Sequence, residues 1–365
     1  MTANNCLCTK KNCFLVLKNK KINNFDIFEE IIKRFASHGY YFDKTAFVAY
    51  DNSSDIIFAL NDGLENYENI YIYCPDSMQS TLKNYICEHL SAQFDDLNLL
   101  KIEQKHVFLL LESNDLYKCV DYFCGKLDEK YGLTYSKAFV KTVGAPISKI
   151  SAAVTQAKEI CEGLSINVSE IYTDCTIELV YDNTVSKSLF DSAYRQIISG
   201  LQEYLYAVED VSLAERFVDL LKLRRMKISL AESFTGGGIA KRLVDISGVS
   251  EVYLEGLNTY SNQAKSKRLG VEEFTLRTYG AVSKETAYEM ARGLFDSGNC
   301  NVCIATTGIA GPKSDNTQKP VGLVYIAVGV DSEIKVYEFN LKGSRKQITE
   351  TAINLALFLA FKTLK

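Results

Sequence analysis

Leu230-Ala-Glu-Ser-Phe-Thr-Gly-Gly-Gly238 is the stretch on which the reading of this chain turns. It follows an apolar run, Met226 to Ala231, of the length of a buried strand. It leads into Ile239-Ala-Lys-Arg-Leu-Val-Asp-Ile246, whose spacing predicts an amphipathic helix. A serine at such a turn, Ser233, is expected where free backbone N–H groups and the positive end of the helix dipole converge. That setting suits an attacking oxygen and the oxyanion it creates, and equally a bound phosphate. The C-terminal half is therefore expected to be built around Ser233, with the earlier chain as an appendage.

Downstream, Gly256 to Asn262 reads as a strand ending in polar residues, and Gln263 to Leu269 as the helix after it. Lys265 then stands one helical turn past the strand end, where its amine could return towards Ser233. Ser283 is expected to cap a helix through Phe295. Val302 to Thr307 reads as a buried strand opening into Gly308-Ile-Ala-Gly-Pro312, a turn whose glycines would let backbone donors approach a ligand. Lys313 to Lys319 reads as a polar flap, and Val321 to Val330 and Glu333 to Leu341 as two strands. Ser344 and Gln347 form a capping box for the last helix, with Ile348, Ala352, Leu355 and Leu359 as its expected buried stripe. Arg345 lies in its first turn, where a guanidinium and helix N–H groups could share a phosphate.

Upstream, strands are expected at Cys13–Leu17, Thr45–Tyr50, Ile70–Cys74 and Val107–Leu111, and helices at Asn24–Ser37, Ser53–Leu64 and Ser77–Leu90. This alternation predicts a doubly wound, mostly parallel sheet with helices on both faces. No glycine-rich turn follows the third strand, where the chain reads Pro75-Asp-Ser-Met-Gln-Ser-Thr81. Ile147–Glu162 and Asp191–Tyr204 read as helices and Cys175–Tyr181 as a strand, with 164–208 a small α+β insert. Ser212-Leu-Ala-Glu215 fits a capping box that opens the C-terminal domain. The expected domains are 1–163, 164–208 and 209–365.

Composition bounds the partners. At 365 residues, 47% hydrophobic and 24% charged, the chain has room for two or three ordinary globular domains. Its net charge of −4 gives no overall basic field for nucleic acid. No apolar run approaches a membrane span and the opening residues lack a signal-peptide core, so a cytoplasmic protein is expected. The eleven cysteines then read as reduced thiols. Cys6/Cys8/Cys13 and Cys300/Cys303 lack a four-ligand zinc pattern, and no metal or cofactor is expected.

All three histidines, His38, His89 and His106, precede Ser212 and read as structural. A Ser-His-Asp site within the C-terminal domain is therefore ruled out. If Ser233 is a nucleophile its base must be a lysine, a tyrosine or a carboxylate, and a lysine needs desolvation or neighbouring positive charge to be neutral near pH 7. Lys265 is preferred, with Tyr260, Ser261 and Asn262 beside it to orient it; Lys241 projects away and Lys267 faces solvent. Each motif has a plainer explanation alone: a serine before three glycines also caps a helix, and Tyr-Ser-Asn at a strand end also makes a turn.

Ala231-Glu-Ser-Phe-Thr-Gly-Gly237, Thr259-Tyr-Ser-Asn-Gln-Ala-Lys265, Gly280-Ala-Val-Ser283, Thr307-Gly-Ile-Ala-Gly-Pro312 and Pro320-Val-Gly322 together resemble the CinA C-terminal domain, in order and approximate spacing. The resemblance implies a three-layer α/β amidase-like domain that hydrolyses nicotinamide mononucleotide to nicotinate mononucleotide and ammonia in pyridine-nucleotide salvage. It implies Ser233 as nucleophile, assisted by Lys265 and Tyr260. Thr235, Gly236, Asn262, Thr307 and Gly308 would place the substrate and its oxyanion, and Arg345 its phosphate. Phe234 and Gln263 stand where the family commonly has cysteine and glutamate. More faintly, the N-terminal region resembles the molybdopterin-binding-like domain of full-length CinA proteins, and the insert a KH-like domain. Cys74-Pro-Asp-Ser-Met replaces the motif of the ADP-ribose pyrophosphatase there, which implies that this activity is lost and that the domain is a scaffold or dimerisation unit within a homodimer or larger homo-oligomer. Two further readings stay open. One is a non-catalytic nucleotide-binding or competence-associated interaction protein; the other is a residual pyrophosphatase using Asp51, Asp55 and Asp76.

Overall fold

The computed structural model describes residues 12–18, 26–112, 115–298, 300–313 and 318–365. They form two compact units, one drawn from residues 1–137, 158–166 and 179–193, the other from 138–157, 167–178 and 194–365.

The first unit begins β1 (Asn12–Lys18), α1 (Asp26–Ser37), β2 (Lys44–Ala49), α2 (Ser53–Asn66), β3 (Asn69–Cys74), α3 (Gln79–Leu90), β4 (Leu99–Ile102), β5 (Lys105–Leu111) and α4 (Leu116–Tyr131). Its sheet runs β2-β1-β3-β5-β4, parallel except for β4, which pairs antiparallel at the edge. Alternate residues of each strand go to opposite faces. Leu15, Leu17, Ile70 and Ile72 pack with Ile56 and Leu60 of α2 and Leu82 and Ile86 of α3. Phe14, Val16, Tyr71 and Phe108 pack with Phe28 and Phe35 of α1 and Phe123 of α4. Both faces are covered, as the β/α alternation predicts. The sequence reading does not anticipate β4, which has only four residues, or α4.

Then follow β6 (Tyr135–Val143), α5 (Ile147–Ile160), β7 (Ser165–Ile171), β8 (Asp174–Asp182), α6 (Lys187–Leu201) and β9 (Leu205–Ala207). A four-stranded sheet has the order β7-β8-β6-β9. β6 and β7 carry few buried apolar residues, so they lack the hydrophobic alternation by which a strand is read.

The C-terminal part of the second unit is α7 (Leu213–Arg224), β10 (Ile228–Glu232), α8 (Gly238–Val244), β11 (Tyr253–Asn258), α9 (Asn262–Leu269), α10 (Glu273–Thr278), α11 (Lys284–Ser297), β12 (Val302–Gly308), β13 (Leu323–Val330), β14 (Glu333–Asn340) and α12 (Arg345–Leu364). The sheet order is β11-β10-β12-β13-β14, with β11, β10 and β12 parallel and the last two antiparallel. Ile228, Leu230, Ile304 and Ile326 face α7, α8 and α12 on one side. The small residues Ala231, Ala305 and Ala327 let α11 lie close on the other, through Ala287, Met290 and Leu294.

Both expected capping boxes form, at Ser212/Glu215 and at Ser344/Gln347, and Ser283 caps α11. Two expectations need correction. The strand read at Gly256–Asn262 is shifted: β11 stops at Asn258, and Ser261 is the N-cap of α9. The buried stripe of α12 is wider than Ile348, Ala352, Leu355 and Leu359, and the last two are only partly buried. Ile353, Ala356, Leu357, Ala360 and Phe361 carry the packing instead. Of the cysteines read as possible metal ligands, Cys6 and Cys8 lie outside the described residues, Cys13 is buried in β1, and Cys303 points its thiol at Ala291 O. Among the described residues no group of three or more His, Cys, Asp or Glu is arranged to hold a metal. No helix among them is long and apolar enough to cross a membrane.

Candidate active site

Of the three parallel strands of the C-terminal sheet, β10 and β11 end level and β12 runs on to Gly308. Glu232 of β10 stands in register with Asn258 of β11 and Thr306 of β12. In open α/β sheets this carboxyl edge is where ligands are held, and here it carries a knot of buried polar groups: Glu232, Ser233, Thr235, Thr259, Lys265, Thr306 and Thr307.

The turn after β10 is closed by its own strand. The Glu232 carboxylate, only 2% exposed, accepts hydrogen bonds from Gly237 N (3.1 Å), Ile239 N (3.1 Å) and Ala240 N (2.8 Å). Gly236 and Gly237 reverse the chain at positive φ, +64° and +92°, values that side chains other than glycine resist. Gly238 is needed for packing: a Cβ there would stand 2.5 Å from Ile353 of α12. This narrows the expectation of free N–H groups around Ser233 to the turn itself, because the first amides of α8 are spent on Glu232. It also corrects the expected part of Gly236, whose N–H turns back onto Ser233 O at 3.1 Å. Ser233 N donates to Thr306 O and Gly238 N to Thr235 O. The N–H groups of Phe234 and Thr235 make no hydrogen bond with any described residue.

Lys265 comes back from the first turn of α9. Its Nζ lies 2.8 Å from Ser233 Oγ and donates to Thr259 O at 2.7 Å. The side chain is 1% exposed, and burial pushes its pKa down to about 8 from 10.5. No carboxylate offsets that burial, so roughly a tenth of the amine is neutral at pH 7, far more than for an exposed lysine. Lys241 instead pairs with Asp245, and Lys267 is exposed.

Threonines lock the rest. Thr235 and Thr306 share a hydrogen bond between hydroxyls at 2.8 Å. Thr307 Oγ1 donates to Ala281 O at 2.6 Å, within Gly280-Ala-Val-Ser283. The neighbouring carbonyls are held too. Gly280 O accepts from Thr286 Oγ1 at 2.8 Å, and Tyr279 O and Val282 O accept from Lys319 Nζ at 2.6 and 2.5 Å. Thr307 thus acts on the wall of the site through its hydroxyl. Gly308 has a packing reason, since a Cβ would meet Val324 at 2.6–3.0 Å.

Arg345 donates to Gly311 O at 2.8 Å and to Tyr260 OH at 3.2 Å. Tyr260 is 63% exposed and touches Arg345, not Lys265; the amine is oriented by Thr259 O instead. Asn262 opens α9 on its exposed side and lines a groove with Gln263, Lys267 and Glu273, apart from Ser233. Part of the expected flap, 314–317, lies outside the described residues. The structure brings the expected Ser233, Lys265, Thr235 and Thr307 to one edge, together with Glu232, Thr259 and Thr306, to which the sequence reading assigns no site role. Of these, Glu232 left a signal: a carboxylate on the strand, immediately before the serine and ahead of a glycine turn and helix, is placed to accept that helix's first amides.

Residues 210–364 match the CinA C-terminal domain. A competence-damage inducible protein of Caldicellulosiruptor saccharolyticus is 42% identical over 183 residues, which is 50% of this chain and 44% of that protein. A CinA-like protein of Kosmotoga olearia is 46% identical over 163 residues, 45% of this chain and 40% of that one. This chain thus spans less than half the length of these relatives. Among solved structures, a competence/damage inducible protein of Agrobacterium tumefaciens is 38% identical with a TM-score of 0.40, covering 41% of this chain and 93% of its own.

Proposed function

We propose that this chain, which belongs to the CinA family through residues 210–364, is an amidohydrolase that converts nicotinamide mononucleotide to nicotinate mononucleotide and ammonia. The observation that carries this reading is the contact of 2.8 Å between a buried lysine amine and Ser233 Oγ. A serine–lysine pair suits acyl transfer when the amine is neutral.

In this mechanism the neutral Lys265 amine takes the Ser233 proton as the oxygen attacks the carboxamide carbon. The oxyanion is met by the N–H groups of Phe234 and Thr235, two donors left over by the turn. Lys265, now an ammonium, returns its proton to the departing nitrogen, and ammonia leaves an acyl-enzyme. The same amine then takes a proton from the water that attacks the ester, and gives it to Ser233 Oγ as that oxygen leaves, which frees the acid and restores the serine and the neutral amine. Thr259 O holds the amine in place through both halves. Arg345 is the proposed phosphate partner, with Tyr260 aligning its guanidinium. Asn262 remains a proposed substrate contact only if the bound nucleotide extends towards α9.

The division into domains 1–163, 164–208 and 209–365, a cytoplasmic location and a homodimeric or larger assembly belong to the same proposal, as does loss of pyrophosphatase activity from the N-terminal domain. The test is ammonia release from nicotinamide mononucleotide by the purified chain, expected to fall by at least about 10³-fold in Ser233→Ala. Turnover that survives in that variant removes Ser233 from its role. Saturable nucleotide binding in calorimetry with no ammonia from any nucleotide amide would instead favour the non-catalytic, nucleotide-binding reading.

A further inference from the structure

We infer that Glu232 is a positioning residue for Ser233: by taking the first amides of α8 it fixes the turn that holds the serine hydroxyl against Lys265. The inference rests on the amidohydrolase reading and adds a residue to it.

A carboxylate 2% exposed is costly to keep unless its charge is met. Among the described residues no lysine or arginine pairs with Glu232. Three backbone N–H groups at 2.8–3.1 Å and the positive end of α8 meet the charge instead. An ordinary helix cap needs no such group, since a serine or aspartate at the start of α8 would serve. Here the acceptor comes from the end of β10, so its bonds close a ring around Ser233 and join the strand directly to the helix. The serine is then held on both sides: Glu232 precedes it, and its own N–H donates to Thr306 O at 3.1 Å. The arrangement also decides which amides remain. With Gly237, Ile239 and Ala240 engaged by Glu232, the free donors of the turn are those of Phe234 and Thr235, next to the nucleophile. An anion drawn to the start of α8 would find a carboxylate already there.

Glu232→Gln keeps the shape but offers one oxygen in place of two and turns an NH2 towards amide donors, so at least one N–H of α8 loses its acceptor. A slip of the turn by about 1 Å is expected to cost about 100-fold in kcat, with KM within about twofold because the groups that bind substrate are untouched. Glu232→Asp, which keeps the charge on a shorter arm, is expected to fall between the two. Each variant is measured for ammonia release from nicotinamide mononucleotide, for thermal unfolding, and for the rate at which phenylmethylsulfonyl fluoride modifies Ser233. Labelling should slow in step with kcat while the unfolding temperature stays within a few degrees. Wild-type kcat and labelling in Glu232→Gln would overturn the inference, and so would a loss fully accounted for by unfolded protein in both variants. If the wild type releases no ammonia but labels at Ser233, and the variants label slowly, the amidase reading fails while the positioning role stands.

Discussion

The chain contains two five-stranded sheets, each with parallel strands at its heart, and most of their buried polar groups stand at opposite ends, Ser229 near the start of β10 being an exception. In the first unit Asn12, Asn69 and His106 sit where β1, β3 and β5 begin. Asn12 and Asn69 are knitted into a network in which Asn12 Oδ1 accepts from Asn69 Nδ2 at 2.9 Å, and Asn69 Oδ1 from Lys130 at 3.0 Å. At the far end β3 and β5 finish in Cys74 and Leu111, both buried and apolar, and β1 in buried Leu17 followed by the partly exposed Lys18. In the second unit the starts of β10 and β12 are Ile228 and Val302, and their ends are Glu232-Ser233 and Thr306-Thr307. Polar groups at strand starts stabilise a fold, whereas at the carboxyl edge, beside helix N-termini, they meet ligands. The comparison supports the proposed site at the second sheet, and it agrees with the absence of a glycine-rich turn after Cys74 in the first.

Lys265→Met gives the largest effect that bears on this contrast. With the base gone, kcat is expected to drop by about 10³-fold or more. In the wild type kcat/KM should climb as pH rises through about 8, where the buried amine loses its proton. The same substitution should raise stability. A lysine whose folded pKa is about 8 against 10.5 binds fewer protons folded than unfolded, so its burial costs about 3 kcal/mol below pH 8, and that cost fades as pH rises to 10.5. Denaturant unfolding of Lys265→Met should therefore show a gain at pH 7 that shrinks by pH 10; an equal gain at both would mean that the charge is not what strains the fold.

Phe108→Ala tests the other side. Phe108 is fully buried between Tyr71 and Phe123, and its loss should cost about 3–5 kcal/mol. If the first sheet is a scaffold, hydrogen exchange should report loosening there while ammonia release stays at the wild-type rate. A matching fall in kcat would break the contrast.

Tyr260→Phe is the smallest. It removes the acceptor 3.2 Å from Arg345, and with it about 1 kcal/mol of guanidinium alignment. A KM a few-fold higher with kcat unchanged fits that contact; a large fall in kcat would restore Tyr260 to the proton-transfer role.

The legible parts of this molecule are those where one physical rule dominates. Strands such as Ile70–Cys74 and Val302–Ala305 are unbroken apolar runs, and the boxes at Ser212 and Ser344 are local, so sequence spacing finds them. Lys265 was reachable because a lysine one turn past a strand end has few other places to go. The ends of β11 and the face of α12 were not. Tyr260 and Asn262 are polar residues that either a strand end or a helix start accepts, and α12 is buried on more than one side, which erases the stripe that would mark its face. Glu232 is harder to read, because a carboxylate on a strand reads as solvent-facing until the helix that takes it is in place.

The hydrogen bonds that complete the site join residues far apart along the chain. Thr235 meets Thr306 across 71 residues, and Arg345 meets Tyr260 across 85. Closing loops of that length costs entropy before any contact rewards it, which makes non-local pairing slow. The working geometry is therefore a late event in folding. A chain still leaving the ribosome has Ser233 long before α12 exists to bring Arg345 to Tyr260, so if Ser233 is the nucleophile its reactivity should arise only after the sheet has closed.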